Sequence, residues 1–136
     1  MKELTIEAKV ENLHQVLAFV DEYLESLGCP MKIQMQIDVA VEEIFVNVAS
    51  YAYTPSTGSV TLQLESEPSP LSVSITFIDS GVPYNPLAKK DPDVSLSAEE
   101  RSIGGLGIYM VKKSMNKMTY EYKDKQNILT MTKIIA

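Results

Sequence analysis

Ile33, Ile37, Val41, Ile44, Val48 and Ala52 recur at spacings of three or four residues, and no other feature of the chain restricts its fold so tightly. At about 100° per residue they draw one apolar stripe down a helix over about 31–53. That stripe needs a second layer to cover it. Upstream, Leu4, Ile6, Ala8 and Val10 alternate with polar residues, the period of a half-buried strand. Between the two, Leu13, Val16, Leu17, Val20, Leu24 and Leu27 predict a first helix over 12–27, with Gly28 placed to end it and Pro30 to open the next.

Downstream, Pro55 and Gly58 mark a connection into a strand holding Val60, Leu62 and Leu64. Pro68-Ser69-Pro70 then turns the chain into a second strand, Leu71 to Asp79, so the two runs predict a hairpin. A short helix is expected from Gly105 to Met115. A last hairpin joins Met118–Lys123 to Ile128–Ile135 across Asp124-Lys125-Gln126-Asn127. From Ser80 to Ile103 there is no sustained periodicity, and a stretch of that kind inside a compact domain usually serves as a lid, here about 82–103. The order predicts an α/β (α+β) two-layer sandwich in one domain over 1–136: a mostly antiparallel, mixed sheet covered on one face by helices.

Composition removes several function classes. A net charge of −6 and the lack of a Lys/Arg stripe argue against a nucleic-acid partner. Met1 to Val10 alternates in polarity and nothing later is apolar enough to span a bilayer, so a cytoplasmic protein without a membrane partner is expected. With one cysteine, Cys29, and one histidine, His14, neither an internal disulfide nor a Cys/His metal motif is available. In so acidic a chain a phosphate-bearing ligand needs local help from backbone amides, a cation and a metal.

Three segments supply such groups. Glu43 and Asn47 lie one turn apart on a shared helix face between Val39, Val46 and Ile44, whereas Glu42 points away. An amide oxygen there can ligate Mg²⁺ and a carboxylate can act as a base, although a pair of this kind more often only frames a helix surface. At the predicted strand end, Asp79-Ser80-Gly81 offers an acceptor for an adenine amino group and a glycine that lets the base come close, or forms an ordinary turn. Gly104-Gly105-Leu106-Gly107 then opens a helix, where exposed N–H groups can hold phosphate oxygens. It lacks the P-loop spacing and follows no βαβ unit, so neither of those nucleotide motifs applies.

Taken together and in this order, the three segments resemble the GHKL (Bergerat-fold) ATPases over nearly the whole chain, and within them the small anti-sigma factor serine kinases of bacterial partner-switching systems. The resemblance implies a Bergerat fold binding ATP and Mg²⁺. Glu43 would be the base, Asn47 the Mg²⁺ ligand, Asp79 and Gly81 the adenine site, and Gly104, Gly105, Leu106 and Gly107 the phosphate contact. Arg101 is similar to the arginine these kinases carry before the glycines and would meet the γ-phosphate or a partner. Where family members often have His and Tyr after the Asn, this chain has Tyr51 and Tyr53. Gln126-Asn127 replaces the usual Gly-Thr, which leaves Thr130 or a water to complete the adenine site. The resemblance further implies a kinase that phosphorylates a STAS-domain anti-anti-sigma protein and otherwise sequesters a sigma factor, with a homodimer formed through the first strand and helix. The contrasting expectation is a non-catalytic module that senses ATP.

Overall fold

The computed structural model describes residues 1–53, 56–88 and 105–136. The chain opens with strand β1 (Lys2–Glu7), a 3-10 turn at Val10–Asn12 and helix α1 (Leu13–Ser26). The strand is shorter than the alternation suggests: Ala8 is buried and its N–H still reaches Gly58 O at 2.8 Å, but Val10 has turned out to solvent. Gly28 ends α1 as expected. At φ +72° it lets its own N–H reach Glu25 O and the Cys29 N–H reach Leu24 O, both at 3.1 Å, a pair of bonds that satisfies two orphan carbonyls.

Pro30 then starts helix α2 (Met31–Tyr51), its carbonyl accepting from the N–H groups of Ile33 and Gln34. The apolar side of α2 is wider than a single stripe. Ile37, Val41 and Ile44 are buried with Ala40 and Phe45, while Ile33 and Val48 are half-buried at the margins. The cause is packing on more than one side, since α2 lies against both α1 and the later helix α3 (Gly105–Ser114) as well as the sheet.

Strands β2 (Ser59–Glu67), β3 (Ser72–Asp79), β4 (Lys117–Lys123) and β5 (Gln126–Ile134) complete a five-stranded sheet in the order β1-β2-β3-β5-β4. Each of the four pairings is antiparallel, so the mixed component expected from sequence is not found among the described residues. Val60, Leu62, Leu64, Val73, Ile75, Phe77, Leu129 and Met131 point at the helices. Burying a side chain such as Phe77 or Leu62 stabilises by about 1.5–3 kcal/mol. The other face carries a polar ladder in which Thr5 pairs with Thr61, Ser74 with Thr132 and Thr76 with Thr130.

The last hairpin differs from expectation in a way that matters for the site. Its turn is only Asp124-Lys125, both at positive φ, the two-residue form whose twist suits paired strands. Gln126 and Asn127 are therefore strand residues, and Asn127 sits directly across from Asp79. Of the expected lid, 82–88 is described and includes a 3-10 turn at Pro86–Ala88; the remainder lies outside the described residues.

Candidate nucleotide site

The C-terminal ends of α2 and β3 meet beside the start of β5. Here Tyr53 donates to Ser59 O at 2.6 Å and accepts from the Ser80 N–H at 2.8 Å, and Val82 N–H reaches Ala52 O at 2.9 Å. Gly81 fits only because it has no side chain: a Cβ there would stand 2.2 Å from Ala52 O. These contacts frame a cleft of about 460 Å³, open to solvent, bordered by Asn47, Tyr51, Asp79, Tyr84, Tyr120 and Asn127 among others.

Asp79 is buried at the floor. Its Oδ1 accepts from the Gly81 N–H at 2.9 Å and from Asn127 Nδ2 at 3.0 Å, and Oδ2 takes neither bond. Asn127, also buried, uses both ends of its amide. Nδ2 donates further to Val82 O at 2.9 Å, while Oδ1 accepts from Tyr84 N–H at 3.1 Å and from the Tyr120 hydroxyl. Burial pushes the Tyr120 pKa up. Tyr51 and Tyr84 lie at the rim with ring centroids 6.3 Å apart, offering flat surfaces to a base.

At the other end, Glu43 and Asn47 share one face of α2, as their spacing predicts. Asn47 Nδ2 donates to Glu43 O at 2.8 Å and to Glu43 Oε1 at 3.3 Å, leaving the Asn47 amide oxygen outside both bonds. The first turns of α3 come directly against this pair: a Cβ on Gly107 would lie 2.0 Å from Glu43 Oε1. Gly105 and Leu106 form the beginning of the same helix. Gly104 and Arg101 fall outside the described residues.

The structure thus sets Asn47 and Asp79 on one cleft, with Gly81 bonded to Asp79, and sets Gly107 on Glu43. Thr130 is not brought there. Strand alternation turns it to the opposite face of the sheet, where its hydroxyl meets Thr76 at 3.0 Å. Asn127, three residues earlier and of the other parity, stands beside Asp79 instead. Parity could have found it, because Leu129 and Met131 are core residues and the same face continues back to 127.

The profile of the histidine kinase-like ATPase domain matches residues 6–133. This chain belongs to that family. The ATPase domain is similar to the serine/threonine-protein kinase BtrW of Bordetella bronchiseptica (strain ATCC BAA-588 / NCTC 13252 / RB50), with 25% identity over 101 residues, 74% of this chain and 70% of that protein. Among solved structures, the RsbU and RsbW domains of Rv1364c from Mycobacterium tuberculosis superpose with a TM-score of 0.61 at 16% identity, covering 98% of this chain and 32% of that one. The histidine kinase domain of the blue-light activated histidine kinase EL346 from Erythrobacter litoralis gives 0.54 at 15% identity, covering 93% of this chain and 60% of that one. The ATPase domain therefore spans about a third of the first solved chain and three fifths of the second, and these two likenesses show a shared fold.

The donor set suits a nucleotide with its metal. Asp79 Oδ2 is an acceptor at a buried floor, the tyrosines supply stacking surface, and Asn47, which borders the cleft, has its amide oxygen outside its bonds to Glu43. No cluster of three or more His, Cys, Asp or Glu exists among the described residues. An amide oxygen such as that of Asn47 is a donor that could join phosphate oxygens and waters around a Mg²⁺ ion. No helix among the described residues is long and apolar enough to cross a membrane.

Proposed function

We propose that this ATPase domain is a Mg²⁺-dependent protein serine kinase whose substrate is a STAS-domain anti-anti-sigma protein, and that it binds a sigma factor when that partner is absent. The observation that carries this reading is the approach of Gly107 to the Glu43 carboxylate while Asn47, on the same helix face, borders the cleft floored by Asp79. The similarity to a serine/threonine-protein kinase supports the same direction.

Asp79 would accept from the adenine amino group, and Asn127 holds Asp79 in place to do so. Asn47 would hold Mg²⁺ through its amide oxygen. Bound there, the ion would neutralise phosphate charge, which together with positioning makes up most of what phosphoryl transfer requires. The backbone N–H groups at the start of α3 would steady the phosphates, and Glu43, beside them, would take the proton of the attacking serine. Arg101 and Gly104 are assigned to the phosphate end on the motif alone.

Labelled ATP, the purified domain and a STAS-domain protein test the assignment. Glu43→Ala is expected to bind ATP normally and to transfer phosphate at least about a hundredfold more slowly. Asn47→Ala is expected to lose the Mg²⁺-dependent part of its ATP affinity. Normal transfer by Glu43→Ala would remove the base from the mechanism. Intact ATP binding with no phosphoserine from the wild type would instead favour a nucleotide-sensing module.

A further inference from the structure

A second concavity, not used in the reading above, runs between α2 and α3. It is an open groove of about 1120 Å³ bordered by Met31, Met35 and Val39 on one wall and Met110, Val111 and Ser114 on the other. The large apolar side chains in it are unusually open to solvent: Met31 is 66% exposed, Met35 61%, Val39 61% and Met110 56%. An apolar patch of that kind marks a contact surface more often than an ordinary solvated face, and methionines adapt readily to a partner's shape.

Its position is what gives it meaning. Met31, Met35, Val39, Glu43 and Asn47 follow one another at intervals of four, a single ridge of α2, so the groove wall leads directly into the Glu43–Asn47 pair. The opposite wall does the same, because Gly107, which abuts Glu43, lies one turn before Met110 and Val111 on α3. Its charge is also distinctive. In a chain of net charge −6, the charged side chain bordering the groove among the described residues is Lys32, and Lys113 stands next to Ser114 in the last turn of α3.

We propose that the α2–α3 groove is the docking surface for the phospho-acceptor protein, taking an apolar segment flanked by carboxylates whose neighbouring serine is thereby presented at Glu43. This inference rests on the kinase reading and adds to it where the protein substrate binds. Apolar contact would supply affinity, and the lysines would govern approach and orientation.

The test uses the whole chain with purified STAS-domain proteins of the source genome, presented one at a time. Met35→Glu and Met110→Glu alter opposite walls at exposed positions, and ATP-induced thermal stabilisation verifies that each variant is folded and binds nucleotide. Expected is unchanged stabilisation by ATP with at least about a tenfold rise in KM for the STAS protein, and a smaller, salt-dependent rise for Lys32→Glu. Wild-type KM in both wall variants overturns the proposal. Loss of self-association in Met35→Glu with STAS phosphorylation intact also overturns it, assigning the groove to a second copy of the chain. If the wild type binds ATP but phosphorylates none of the STAS proteins, the kinase reading itself fails and the docking proposal goes with it, a result distinct from the other two.

Discussion

The two ends of the cleft are built on opposite plans. At the Asp79 end the polar groups are engaged with one another before any ligand arrives: Asn127 spans Asp79, Val82, Tyr84 and Tyr120 from one buried side chain. Among the described residues the Glu43 end bonds along its own helix, and Gly107 of the facing α3 comes against the carboxylate. The contrast separates two tasks. Recognising a flat base benefits from a rigid floor, since affinity grows when ordering is complete before binding. Handling phosphate and a metal needs acceptors and N–H groups whose partners have yet to come.

If that division is right, changes at the two ends will affect different quantities. The largest effect is expected for Gly107→Ala. Its Cβ would meet the end of a movable side chain, so the fold survives, but the Glu43 carboxylate must shift, and a displacement of about an ångström can cost about a hundredfold in turnover. Phosphotransfer rate and ATP affinity, measured together, should show the first falling with little change in the second.

Asn127→Leu should do the reverse. The buried Asp79 and the part-buried Tyr120 hydroxyl each lose a bond, at about 1–3 kcal/mol for a group left unsatisfied, and ATP affinity should drop by about tenfold as Asp79 loses its support. Melting and calorimetric titration would read both. Retained affinity in this variant would make the floor's rigidity irrelevant. Gly81→Ala is expected to act on stability above all, because its Cβ meets the Ala52 backbone, which cannot swing away; a loss of about 1–3 kcal/mol in chemical denaturation is expected.

Much of this plan is legible in the sequence. The period of the apolar residues predicted helices and strands close to their observed limits, because each element buries one face, and Glu43 with Asn47 fell together because one turn of helix fixes their relation. What was not readable depended on turns and on packing between elements. A turn two residues shorter than expected changes Asn127 from loop to strand, and strand parity then excludes Thr130. Val39, which flanks the Glu43 face by its spacing, is largely exposed, since α3 covers the next turn of the ridge and not that one.

The smallest expected effect lies outside the cleft, and provides a control for changes that touch neither end. Asp38 on α2 is pushed up to about 8, first by burial, then by its hydrogen bond with and the charge of Asp21 on α1, and by Glu25. One oxygen on each aspartate is buried with no donor. An unfolded Asp ionises near 3.8, so between about 4 and 8 the folded chain keeps a proton that the unfolded chain has released. Stability from this pair must therefore fall as pH rises through that window and level off above it. Asp38→Asn should flatten the decline, raising Tm at about pH 8 relative to wild type by a few degrees while leaving ATP affinity alone.

Thermal stabilisation by nucleotide tests most directly whether these separated segments form one site. ATP with Mg²⁺ at about a hundred times its Kd should stabilise the wild type by about 2.7 kcal/mol, and Asp79→Ala should lose most of that shift at the same concentration. A wild-type melting curve unmoved by ATP and by ADP, with or without Mg²⁺, would contradict the account.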